Sequence, residues 1–94
     1  MRLDIWLKRV CLVKSRSLAK RGCQSGDILL AGQSVKESHS LRVDEILSLT
    51  FPARRLEIRV ADIPEGNVSK KSAPDFYEVL KEERLEKEDP RDGI

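Results

Sequence analysis

Glycine, proline, cysteine and aromatic residues are all scarce in this chain. Five glycines and four prolines in 94 residues exclude a collagen-like or low-complexity polymer. Two cysteines, Cys11 and Cys23, have no second pair beside them and no Cys-x-x-Cys spacing. They do not make a disulfide framework and read as reduced, partly buried thiols. The single histidine, His39, adds too few ligands to them for a zinc site, so neither a metal nor a cofactor is expected. No apolar run approaches the roughly 18 residues that a membrane span needs. The opening Met1-Arg2-Leu3-Asp4-Ile5-Trp6 lacks the apolar centre of a signal peptide. The expectation is a cytoplasmic chain with no membrane partner.

What is abundant is charge. Lys, Arg, Asp and Glu make up 36% of the chain, against 39% hydrophobic residues, yet the net charge is only +2. That mean hides an asymmetry. Residues 1–60 hold twelve Lys/Arg against six Asp/Glu, and residues 61–94 hold six against ten. The first 21 residues alone carry Arg2, Lys8, Arg9, Lys14, Arg16, Lys20 and Arg21 against one acid, Asp4. Such a block calls for an anionic partner, nucleic acid before a membrane surface. The alternative is a solvated helix face whose counter-charges lie in the acidic tail.

Hydrophobic spacing divides the chain into elements. Leu3, Trp6, Leu7 and Val10 recur at helical intervals, which predicts a short helix over 3–11 with the four on one buried stripe. A second helix begins near Ser15, which can cap exposed amides, and stops at Gly26. Leu18, Ala19 and Cys23 are its inward residues, while Arg16, Lys20 and Arg21 point elsewhere. Ile28-Leu29-Leu30, a turn at Ala31-Gly32 and Ser34-Val35-Lys36 read as a hairpin. Ile46 to Phe51 and Leu56 to Val60 alternate as half-buried strands, with Arg54-Arg55 in an exposed turn between them. After a loop over 62–72, Ser72 with Asp75 fits a capping box, and Phe76, Val79 and Leu80 predict a C-terminal helix. Beyond about residue 85 the composition predicts fraying.

The segments Arg2-Leu3-Asp4-x-Trp6-Leu7, Lys14-Ser15-Arg16-Ser17-Leu18-Ala19-Lys20 and Gly26-Asp27-Ile28 resemble the S-four-like (alpha-L) RNA-binding domain named after a ribosomal protein. The resemblance extends through the hairpin over residues 2–51. Among proteins with this domain the chain looks most like the heat-shock-protein-fifteen family and its relative in bacterial ribosome quality control. The short chain, Trp6 and the tail segment around Ala73, Tyr77, Glu78 and Leu80 support that likeness. It implies a two-helix N-terminal unit packed on a small, strongly bent sheet. With the C-terminal helix read from spacing, the expected fold class is α+β with a mostly antiparallel sheet. The implied domains are residues 1–62 for RNA binding and 63–94 for the loop, last helix and acidic tail.

The resemblance further implies binding to large-subunit rRNA and tRNA on stalled ribosomes. A monomeric chain with no small-molecule substrate is expected. Its RNA-binding residues would be Arg2, Lys8, Arg9, Lys14, Ser15, Arg16, Ser17, Lys20, Arg21 and Lys36. Arg16 offers a planar fork of donors that can pair two phosphate oxygens at once. Lys14 and Lys20 suit a backbone as point charges. Ser15 fits either a phosphate donor or a helix cap, and Arg2 either reaches RNA or pairs with Asp4. Trp6 and Leu7 read as core. Lys70-Lys71 fits a phosphate contact or a solvated loop equally, and His39 reads as an ordinary exposed loop histidine or, beside Lys36, as an extension of the RNA surface.

The chain departs from the family pattern in four places. Ile5 and Cys11 replace cations, Ala31-Gly32 replaces an Asn-Gly turn, and Val43-Asp44 replaces a Gly-Asp pair. An enzyme is not expected, because the sequence holds no Gly-rich cofactor loop, catalytic triad or metal cluster. The remaining rivals are a protein adapter working through Glu78, Glu82, Glu83, Glu86 and Glu88, and a general ribosome-assembly factor.

Overall fold

The computed structural model describes residues 1–85. Two helices, α1 (Leu3–Arg9) and α2 (Arg16–Ser25), precede five strands. These are β1 (Ile28–Leu30), β2 (Gln33–Ser34), β3 (Ile46–Thr50), β4 (Arg54–Val60) and β5 (Tyr77–Arg84). They form one antiparallel sheet in the order β2-β1-β3-β4-β5. The expected α+β class and its two-helix unit are therefore present.

The core follows from the two periodicities. Leu3, Trp6, Leu7 and Val10 of the first helical segment are all buried, as their spacing predicts. They meet Leu47 and Leu49 of β3 and Leu56, Ile58 and Val60 of β4 in one apolar cluster. Trp6 is fully buried, and its indole N–H donates to the carbonyl of Asp62 at 3.1 Å. Tyr77 packs edge-on against it, with ring centroids 6.4 Å apart. The chain after β4 is thereby pinned to α1.

α2 sits close on β1 because Gly22 has no side chain. A Cβ there would lie 2.7 Å from Cδ1 of Ile28. Ala19 and Cys23, four residues apart, are the buried contacts of this helix. Leu18, expected to face inward, does not: it is 45% exposed. It lies one residue, about 100° of helix turn, from Ala19, and a helix anchored through two small residues buries only a narrow stripe.

The expected C-terminal helix is not what residues 77–84 form. Ala73–Phe76 make a single 3-10 turn, and the chain then becomes β5. The outer edge of β4 supplies the reason. Its backbone groups need partners, and β5 pairs with it from Val60↔Tyr77 to Arg54↔Arg84. The strand register also brings opposite charges together. Arg59 faces Glu78, Glu57 faces Lys81 and Arg55 faces Glu83, with Arg59 and Glu78 paired at 2.9 Å. Val79 and Leu80, the intended apolar edge of a helix, are 49% and 44% exposed. A register shift opposite Glu57 and Ile58 accommodates Leu80 as an extra residue. Arg54 and Arg55 are exposed as expected, but as the first residues of β4 rather than as a turn. The expected fraying beyond residue 85 lies outside the described residues.

Candidate nucleic-acid interface

Two of the expected cations, Arg2 and Arg16, meet at the one acid in their midst. Asp4 lies on the first turn of α1 and is 3% exposed. One carboxylate oxygen, Oδ1, accepts from Nε of Arg2 at 3.1 Å and from the Ile5 amide at 2.8 Å. The other, Oδ2, accepts from Nη2 of Arg2 and from Nε of Arg16, each at 3.2 Å. The start of α1 and the start of α2 are thus joined through one buried carboxylate.

Burial alone would push the Asp4 carboxyl up. The hydrogen bonds from Arg2, Arg16 and the Ile5 amide outweigh it and hold its pKa below the ordinary value of 3.8. At neutral pH the carboxylate is charged and both arginines are held. Their side chains stay 45% and 51% exposed. Arg16 uses only Nε in this bond, so its two terminal nitrogens keep their donors for an outside acceptor. A long side chain already fixed at its root loses less rotamer freedom on binding, a loss worth up to about 2 kcal/mol for arginine.

The backbone holds the same corner. The amides of Leu3 and Asp4, which α1 itself leaves without partners, donate to the carbonyls of His39 and Glu37 at 2.8 and 3.1 Å. Arg2 bridges Ser40 as an isolated β-pair. Arg2 is therefore fixed by its backbone and by its side chain. His39 itself contacts the Glu45 carboxylate through Nε2 at 3.1 Å, which gives this expected loop histidine a local partner.

The other expected residues are distributed over both helices, the segment between them and the stretch after the hairpin. Lys14, Ser17, Lys20 and Arg21 are exposed along or just before α2, and Lys8 is exposed on α1. Ser15 caps α2, its hydroxyl accepting from the Leu18 amide at 3.2 Å. Arg9 turns to the carbonyl of Gly66 at 3.5 Å. Lys36 is exposed after the β1–β2 hairpin. What sequence reasoning missed is the shared anchor. Sequence spacing offers Asp4 only as a partner of Arg2, although a single acid within a block of seven cations is the signal that marks it.

Comparison with known proteins decides the family. An S4 domain is matched over residues 1–47, which span both helices and the first hairpin. The chain belongs to the S4-domain family. Two relatives, from Halalkalibacterium halodurans and Bacillus subtilis, are each named RQC P-site tRNA stabilizing factor. The first is 34% identical over 93% of this chain and 98% of its own length. The second is 33% identical over 90% and 98% respectively. The chain is thus a member of the group these S4-domain proteins form. A trimeric structure of Vibrio cholerae Heat Shock Protein 15 superposes with a TM-score of 0.80 at 26% identity, over 85% of this chain and 81% of that one. The two helices and the sheet are those of that fold.

Proposed function

We propose that this S4-domain protein binds RNA on the ribosome and stabilises P-site tRNA during quality control of stalled ribosomes. The observation that carries this reading is the near full-length match to factors named for that task. The arginine pair on Asp4 supplies a physical means. Arg2 and Arg16 present fixed guanidinium donors to phosphate oxygens, with Lys14 and Lys20 as point charges beside them. An α-helix cannot enter the deep, narrow major groove of duplex RNA, so recognition is of shape and phosphate position. No bond is made or broken: added contacts favour one bound state of the tRNA, and the role is not enzymatic.

Large-subunit rRNA is the second partner in this reading. Residues 1–62 serve as the RNA-binding unit, with residues 63–94 as its addition, and the protein works in the cytoplasm. A monomer is the functional form, supported by the few large apolar side chains exposed among the described residues. Sedimentation equilibrium separates it from a trimer like that of the Vibrio protein.

The test is co-sedimentation of tagged protein with purified large subunits carrying peptidyl-tRNA. Changing Arg2 and Arg16 together to alanine should abolish it, since charge-assisted bonds of this kind are worth about 1.5–3 kcal/mol each. Unchanged co-sedimentation would move the RNA face elsewhere.

A further inference from the structure

A cleft of about 620 Å³ opens between one face of α2, the segment leading into it and the end of β3. Half-buried Leu12, Val13 and Phe51 line it together with the exposed Leu18. Lys14 and Arg21 stand in its wall, and neither forms an ion pair among the described residues. The acid of the lining, Asp27, accepts a hydrogen bond from the Ser25 hydroxyl at 2.9 Å. Arg54 lies over the Phe51 ring, 5.5 Å from its centroid, and is itself paired with Glu82. The volume falls in the range of about 300–1,000 Å³ typical of sites for small organic groups.

We infer that this cleft receives one unstacked nucleotide of the bound RNA, its base on the apolar lining and its phosphate against Lys14 and Arg21. The occupant is argued from charge and from position. An apolar floor beside two unpaired cations matches a nucleotide, which is a flat apolar face joined to an anion. An apolar protein segment would cover the floor and leave both cations buried without partners. The position is continuous with the proposed RNA face. Around α2 at about 100° per residue, the exposed arc runs from Arg16 through Lys20, Ser17 and Arg21 to Leu18. A strand of RNA on Arg16 can cross the helix and reach the cleft. The exposure of Leu18, which the core does not need, then has a use.

This inference rests on the RNA-binding reading above and adds a preference to it. Phosphate contacts alone do not distinguish a duplex from a loop, whereas only loops, bulges and ends offer free base faces. The test measures binding of the full chain, by fluorescence anisotropy, to an RNA hairpin with an unstructured loop and to its stem as a blunt duplex. Wild type should prefer the hairpin. Leu18→Gln, at an exposed position, should lower hairpin affinity by roughly fivefold and erase the preference, leaving duplex affinity unchanged. Methyl NMR of the wild type gives a readout independent of any variant: Leu12, Val13 and Leu18 should shift with the hairpin and not with the duplex. Equal hairpin affinity for Leu18→Gln and wild type would overturn the inference and leave the wider reading standing. So would cleft methyls that shift with protein concentration alone, which would assign the cleft to a second copy. Wild type that binds neither RNA would overturn both.

Discussion

Asp4 sets the chemistry of the candidate interface at the scale of single residues. Removing an acid from a basic surface should, on net charge alone, tighten RNA binding. The geometry reverses that expectation, because the carboxylate fixes Arg2 and Arg16 at once. Asp4→Asn should therefore weaken binding to large subunits despite the extra positive charge, and a filter-binding assay against wild type would read the sign directly. The same group gives a pH dependence. Its folded pKa lies below the unfolded value, so its contribution to stability is fully present above about pH 4 and is lost as pH falls through the folded value. Thermal melts should show a larger drop in wild type below about pH 4 than in Asp4→Asn.

Cys23 lies beneath this corner, its thiol pushed up to about 11 by burial and then by Glu37 and Asp4. Burial and the raised pKa keep it in the unreactive thiol form at neutral pH. The Ala31-Gly32 turn was legible in the sequence. Both residues have positive φ, 49° and 78°, as a type I′ hairpin requires, but alanine adopts that region at a cost of about 1–2 kcal/mol. Ala31→Asn should raise stability by about 1 kcal/mol, visible as a higher Tm.

Whole elements were legible where one periodicity had one reading. α1 has four apolar residues on one stripe, and β3 and β4 alternate cleanly, so their type and buried face followed from spacing. Residues 77–84 were not legible in the same way. Phe76, Val79 and Leu80 fit a helix, but Tyr77 and Val79 separated by Glu78 fit a strand equally, and the deciding partner is the edge of β4, distant in sequence. Leu18 failed for a related reason: a weak stripe built on Ala19 and Cys23 does not specify its own width.

Two substitutions separate these elements. Leu18→Ala should change stability by less than about 1 kcal/mol, far below the roughly 2–5 kcal/mol of a fully buried leucine. Trp6→Phe should cost about 1–3 kcal/mol, since it leaves the Asp62 carbonyl without its indole donor and loosens the anchor of the chain leading to β5. Denaturant melts that rank the two in the opposite order would place the core elsewhere.

Across the whole molecule, charge is distributed along the chain more tellingly than its mean. The net +6 of residues 1–60 and −4 of residues 61–94 nearly cancel, so the protein as a whole has little long-range attraction for RNA. Binding must come from the local arrangement of cations, and the salt dependence reports how many take part. Each phosphate neutralised contributes about 0.7–0.9 to the slope of log affinity against log salt. Contacts by Arg2, Lys14, Arg16 and Lys20 together predict a slope near −3 for structured RNA. Arg16→Ala should reduce its magnitude by about one contact. Asp4→Asn should weaken affinity while changing the slope less, because the cations remain and only their placement is lost. A slope near zero would mean that the basic block is a solvated face, and a slope unchanged by Arg16→Ala would mean that the guanidinium on Asp4 never reaches phosphate.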